Sequence, residues 1–240
     1  HLAYVRDQSL MTQSFDLGRL QVTGEPVRIG DAPEDLSTLG TNPASASENG
    51  ILIYPTSAPV SSRLTWFDRD GRTQGELPVP EGGYLEIAFS PDNRRIALSR
   101  RNPSTRNDIW IADASRGALS RLTTDESPKV SLTWSGDGSQ IAYVAQRGAG
   151  WNFYERPTSG SDEERPLFVS NSMFKEMSQL TLDGSYLVFD DLERTTQRDL
   201  WVVPLKGDRK PILYLRTPFN ETGGSISPDG RWMLYQSDES

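Results

Sequence analysis

The 240-residue chain contains no cysteine, which excludes disulfides, thiolate metal centres and cysteine nucleophiles. Its single histidine is residue 1, so neither a Ser-His-Asp arrangement nor a histidine-rich metal site can be assembled from interior residues. Basic charge is scarce: 25 Lys and Arg stand against 33 Asp and Glu, for a net charge of -8, which argues against nucleic acid or anionic lipid as a partner. No apolar run approaches the roughly 18 residues of a membrane helix, so direct membrane insertion is not expected. There is no Gly-x-Ser-x-Gly elbow, no Gly-Lys phosphate loop and no Gly-x-Gly-x-x-Gly fingerprint. No catalytic residue, cofactor or metal ligand is therefore assigned, and any enzymatic activity is expected to lie in another domain. The chain opens on His1-Leu2-Ala3 without Met and reads as a piece of something longer.

What the chain has is a repeat. Ile87 to Leu98 recurs as Leu132 to Tyr143, Gln179 to Phe189 and Ser225 to Tyr235, each an apolar run, a turn and a second apolar run; Ala46 to Tyr54 is a shorter copy. The last turn residues fall at positions 50, 93, 138, 184 and 230, at spacings of 43, 45, 46 and 46. Pro91 and Pro228 pre-set φ at the first central position, and Asn93, Gly138, Gly184 and Gly230 take the place that requires positive φ. Where Gly136, Leu182 and Glu48 replace the proline, only pre-organisation is expected to be lost. A third strand follows at Trp66-Phe67, Asp108-Ile109-Trp110-Ile111, Phe153-Tyr154 and Asp199-Leu200-Trp201-Val202. A fourth lies at Gln74 to Val79, Ser120 to Thr123, Arg165 to Val169 and Pro211 to Leu215.

Four strands per unit of about 45 residues, with no helical periodicity, predicts an all-β fold: a β-propeller of four-stranded antiparallel blades. The reading divides a single domain, 1–240, into a partial blade 1–40, blades 41–83, 84–129, 130–174 and 175–222, and a partial blade 223–240, about six blades in all. The alternative is a five-bladed ring closed by pairing the strand around Ser225 with Leu2 to Val5.

The Ser-Pro-Asp-Gly turn, the aliphatic strand after it and the Asp-[Ile/Leu]-Trp strand resemble the WD-like repeat of the TolB-type propellers. Leu64 to Gly71, Ser99-Arg100-Arg101 with Asp108-Ile109-Trp110, and Thr217 to Glu221 are similar to propellers fused C-terminally to bacterial serine/threonine kinases. The resemblance implies a non-enzymatic sensing or binding module with an extracytoplasmic location and a place in a larger signalling protein. The rival is an accessory or gating propeller of an enzyme such as a serine peptidase.

Loops on a rigid scaffold carry function. The connections between second and third strands hold Arg100, Arg101 and Arg106, then Arg147 and Trp151, then Arg194 and Arg198, an arginine-biased set on an acidic chain. Arg offers a planar fork to carboxylates, so these residues are expected to contact a protein, peptide or glycan ligand of acidic character. They are read as exposed loop residues, and pairing of each with a nearby acid such as Asp108, Glu193 or Asp199 is preferred to the ligand role, which is the alternative. Blade-to-blade loops near Asp125 to Lys129 and Thr217 to Gly224 should open on the same face. Asp68-x-Asp70-Gly71 is read as a hairpin turn, and Asp190-Asp191-x-Glu193 and Asp162-Glu163-Glu164 as solvated loops.

Overall fold

The computed structural model describes residues 2–6, 9–16, 18–31, 45–46, 52–55, 62–102, 106–148, 150–160, 163–170, 175–193, 197–227 and 229–239. The repeat becomes a series of antiparallel meanders in chain order. A three-stranded N-terminal sheet holds β1 (Leu2–Arg6), β2 (Ser9–Asp16) and β3 (Gln21–Asp31). Four blades of four strands follow. The first has β4 (Ser45–Ala46), β5 (Leu52–Pro55), β6 (Leu64–Phe67) and β7 (Thr73–Glu76); the second has β8 (Tyr84–Phe89), β9 (Arg95–Asn102), β10 (Arg106–Asp113) and β11 (Leu119–Arg121). The third has β12 (Lys129–Trp134), β13 (Gln140–Arg147), β14 (Gly150–Pro157) and β15 (Arg165–Phe168); the fourth has β16 (Lys175–Leu180), β17 (Tyr186–Glu193), β18 (Gln197–Pro204) and β19 (Ile212–Leu215). A two-stranded sheet, β20 (Glu221–Ile226) and β21 (Met233–Ser237), ends the series. The five-bladed alternative is not formed: among the described residues β1 pairs only with β2 and β20 only with β21, so no sheet joins the two ends.

A blade is buried on both faces, so its second strand reads as a continuous apolar run rather than an alternating one. The period of two then sends successive residues to different neighbours. Ile96 and Leu98 join the core between the first and second blades, and Ala97 between them faces the third. In β13, Ile141, Tyr143 and Ala145 face the second blade, while Ala142 and Val144 face the fourth with Phe153, Leu187 and Phe189. The first strand of each later unit packs on its predecessor: β12 on β8 and β9, β16 on β12 to β14, β20 on β16 to β18. Trp134 is buried and its indole N–H donates across the blade boundary to the Ala88 carbonyl at 3.0 Å. Trp110 and Trp201 are half-buried against the cores of their preceding interfaces, whereas Trp232 is exposed.

The turns show which sequence signal matters. Ser90, Ser135, Thr181 and Ser227 each donate a hydroxyl hydrogen bond to the aspartate two residues on, Asp92, Asp137, Asp183 and Asp229, at 2.6, 2.7, 2.7 and 2.5 Å. Those hydroxyl bonds come first among the causes that hold Asp137 at about 2. The proline is dispensable, because Leu182-Asp183-Gly184 closes the same way, with the Gly184 N–H on the Thr181 carbonyl at 2.8 Å. Asn93, Gly138, Gly184 and Gly230 have φ of 58°, 69°, 63° and 69°. Since positive φ costs an L-residue with Cβ roughly 1–2 kcal/mol, Gly138→Val should lower stability by about 2 kcal/mol, while Asn93→Gly should stay within ~0.5 kcal/mol of the parent. Equal shifts of the urea midpoint for the two variants would contradict the geometry.

Gly136 departs from expectation. Its missing Cβ is a requirement of packing and not a lost proline, because an added Cβ would run into the Leu182 backbone carbonyl of the next blade's turn.

Candidate functional site

In a four-stranded blade the second-to-third-strand loop and the connection to the next blade leave from the same end. That end gathers the candidate residues, and the inner strands anchor it. Lys129, Lys175 and Glu221 open β12, β16 and β20, and all three are buried. Asn107 in β10 accepts the Lys129 backbone N–H at 3.0 Å and donates to the Lys129 carbonyl, tying one blade to the next. The Lys129 ammonium donates to the Ser127 carbonyl at 2.8 Å and pairs with Asp125 at 3.0 Å. One blade on, the Lys175 ammonium donates to the Trp151 carbonyl at 2.9 Å and to Asn152 Oδ1 at 3.1 Å. Burial pushes both lysines below their ordinary value.

The arginines fall into two groups. Arg147 and Arg198 are half-buried, contrary to the exposed placement expected from sequence. Arg147 spans Glu164 at 2.6 Å and Asp125 at 3.2 Å, with its guanidinium 5.2 Å from the Tyr154 ring. Tyr143 donates its hydroxyl to the same Glu164 at 2.5 Å. Burial works against the Asp125 charge, yet the Ser127 hydroxyl and Lys129 hold its carboxyl well below the usual carboxylate range. Arg198 bridges Glu176 in β16 at 2.9 Å and Asp190 in β17. Burial raises Asp190 to about 6 even though Arg198 opposes it, and the nearby Glu176 adds to the rise. Asp190 and Asp191 are buried strand residues, not the solvated loop read from sequence.

The competing partners also differ. Asp108 pairs with Arg121 at 2.7 Å and Asp199 with Arg216 at 2.8 Å, so the aspartate of the Asp-[Ile/Leu]-Trp motif ties its third strand to the end of the fourth.

Arg100 and Arg101 form the second group. Arg100 lies with its guanidinium 5.8 Å from the Tyr84 ring and 5.9 Å from the Trp110 ring, and donates to the Glu81 carbonyl at 3.3 Å. Arg101 is exposed. Neither has a carboxylate partner among the described residues. Arg106 opens β10 opposite Asn102. Arg194 lies outside the described residues. Trp151 is half-buried against the core between the third and fourth blades. Asp68-x-Asp70-Gly71 is a turn: Asp68 accepts the backbone N–H groups of Asp70 and Arg72 at 3.0 and 2.9 Å. Of the second acidic run, Glu164 is engaged as above and Glu163 pairs with Arg165 at 2.7 Å on the surface.

One buried carboxylate was not singled out in the sequence. Glu86 in β8 accepts the Ser131 and Leu132 backbone N–H groups of the next blade at 2.9 and 2.8 Å, at the β12 bulge where Ser131 has φ 56°. Burial raises it to about 7 against those two donors, with Glu176 adding to the rise. The folded value lies above the unfolded one, so the folded state holds the extra proton. Stability should therefore fall as pH rises from about 4.5 to 7 and level off above. Glu86→Gln should remove up to about 3 kcal/mol of that fall. Parallel stability-versus-pH curves for parent and variant would contradict it.

The TolB beta propeller domain model matches residues 84–240. The chain is 23% identical over 169 residues to the uncharacterized peptidase YuxL of Bacillus subtilis, covering 69% of this chain and 24% of that protein. It is 28% identical over 185 residues to dipeptidyl-peptidase 5 of Arthroderma otae, covering 66% and 25%. It thus spans about a quarter of the length of these curated relatives. Among solved structures, a putative TolB from Agrobacterium tumefaciens superposes with a TM-score of 0.71 at 18% identity, covering 89% of this chain and 73% of that one, which shows the fold.

Proposed function

The chain belongs to the TolB beta propeller domain family, and we propose that it is a non-catalytic binding module that takes a carboxylate-rich ligand on the face of its second-to-third-strand loops. One observation carries this reading: Arg100 and Arg101, consecutive on opposite faces at the end of β9, have no carboxylate partner among the described residues, while Arg147 and Arg198 are each committed to two acids. Arg100 is held against Tyr84 and Trp110, which fixes one fork of the pair before a ligand arrives. Arg106 at the start of β10 and Trp151 in β14 flank second-to-third-strand connections and, with Arg194, complete the proposed contact set. The family resemblance supports an extracytoplasmic site of action within a larger signalling protein, including one with a kinase domain.

The test is a titration of fluorescein-labelled oligoglutamate and oligogalacturonate, the two arms separating peptide from glycan. Arg100→Gln/Arg101→Gln should weaken binding of the preferred arm by about 10-fold or more, with unchanged melting temperature. Added salt should weaken the parent as well, because exposed charges are screened within about 8 Å at physiological ionic strength. Unchanged affinity in the double variant would overturn the proposal.

A second reading rests on the curated relatives, both named as peptidases: the propeller of a serine peptidase whose catalytic groups lie elsewhere in the parent chain. Release of dipeptides from chromogenic substrates by the full parent protein, blocked by a serine-directed phosphonate, would favour it; an inert parent would remove it.

A further inference from the structure

Gly82 lies in the connection from the first blade to β8, and its backbone is held in place. Ser62 of the first blade donates its N–H and its hydroxyl to the Gly82 carbonyl at 2.8 and 2.7 Å and accepts the Gly82 N–H at 3.3 Å. Two residues on, the Tyr84 N–H bonds to the same carbonyl at 3.0 Å, and the Tyr84 hydroxyl donates to the Pro80 carbonyl. Gly82 does not have positive φ, so turn chemistry does not call for glycine here. Arg100 does. A Cβ on Gly82 would fall 2.7 Å from Arg100 Nε, 3.1 Å from Nη2 and 3.3 Å from Cζ, so the guanidinium fills the space of the absent side chain.

The remaining contacts of Arg100 fix its orientation. Nη2 donates to the Glu81 carbonyl at 3.3 Å, and the Tyr84 and Trp110 rings lie 5.8 and 5.9 Å from Cζ. Nη1 is the nitrogen farthest from Gly82, and among the described residues nothing accepts a hydrogen bond from it. The same place in the other blades is neutralised internally. Tyr84, Lys129 and Lys175 each stand nine residues before the turn residue of their blade and lie across from Arg100, Ala145 and Asp191. Lys129 is paired with Asp125, and Lys175 has Asp191 opposite it, whereas Arg100 has aromatic rings and no carboxylate.

We propose, resting on the carboxylate-ligand reading, that Gly82 is a positioning residue of the ligand face: its bare Cα seats the Arg100 guanidinium and leaves Nη1 for an acidic ligand. With a side chain at position 82 the backbone cannot yield, because Ser62 holds it from the neighbouring strand, so the long arginine must move off Tyr84 and Trp110. Ordering a rotamer-rich side chain then falls on the binding step and weakens it. The third blade uses the equivalent place for a guanidinium as well. Ser127 stands eleven residues before Gly138, as Gly82 stands before Asn93, and accepts a hydrogen bond from Arg147. There a hydroxyl binds a cation already committed to two acids; at Gly82 the absent side chain leaves the cation for the ligand.

The test is a double-variant cycle in the 240-residue chain, read with the fluorescein-labelled oligoglutamate and oligogalacturonate probes. Gly82→Ala should weaken the preferred probe by about 5-fold, as much as Arg100→Gln does, the upper part of what an exposed ion pair contributes. The double variant should bind no more weakly than Arg100→Gln alone, because a residue that acts through Arg100 then has nothing to position. Any drop in melting temperature in Gly82→Ala should be recovered in the double variant, since the atoms nearest the added methyl all belong to Arg100. Without ligand, the arginine Nε–H resonance that Arg100→Gln removes should shift in Gly82→Ala. Parent-like affinity in Gly82→Ala beside a weakened Arg100→Gln, losses that add in the double variant, or an unmoved Nε–H resonance would overturn this role and leave the ligand reading standing. Parent-like affinity in Arg100→Gln would overturn the ligand reading, and the role of Gly82 with it.

Discussion

Arg198→Ala should destabilise the protein by about 3–5 kcal/mol near pH 8, because it strands two buried carboxylates that a single guanidinium now serves. Glu176 comes from β16 and Asp190 from β17, and Arg198 reaches both from β18, so three strands of one blade meet on one charge. The loss should shrink toward pH 5. Asp190, raised to about 6 in the folded state, is then protonated already and has less to lose with the cation. Arg198→Lys should recover part of the stability as a point charge, but a compact ammonium serves two carboxylates less well than a fork. Urea titrations at the two pH values decide the matter; a loss under about 1 kcal/mol, or one independent of pH, would show the pair to be solvated. The same geometry bears on function. A variant lacking Arg147 and Arg198 together with Arg100 should lose fold and ligand face at once, whereas Arg100 and Arg101 serve no buried acid.

Gly136→Ala should cost at least about 2 kcal/mol, the upper part of the range for overpacking a tight site. The obstacle is backbone: the added methyl meets the Leu182 carbonyl, so relief requires one turn to move away from the next. Gly184→Ala offers the comparison. Gly184 has φ 63° with nothing within 4 Å of its Cβ position, so only the conformational penalty of about 1 kcal/mol applies. The expected order therefore reverses the one turn chemistry alone gives, in which the positive-φ glycine is the sensitive one. Thermal melts placing Gly184→Ala below Gly136→Ala in stability would refute the close approach of the two turns.

Much of this was legible in the residues. The 45-residue period, the φ > 0 position and the apolar runs are local signals, and local signals survive translation into strands because strand geometry has only two faces to offer. The fourth-strand runs were legible too: Ser120 to Thr123 and Arg165 to Val169 overlap β11 and β15. Partners were not. Asp108 finds Arg121, 13 positions on, and Arg147 finds Asp125 and Glu164, 22 and 17 positions away, in directions that charge patterning along the chain does not encode.

The sequence by itself determined the meander, its turns and the all-β class, since each depends on residues within one unit of the repeat. Only the tertiary structure decided which arginines are buried and which stay available. Burial is a property of the interface between units, where Glu86 reaches Ser131, Asn107 reaches Lys129 and Gly136 meets Leu182, and the desolvation that raises Glu86 and Asp190 exists only once neighbouring blades exclude water.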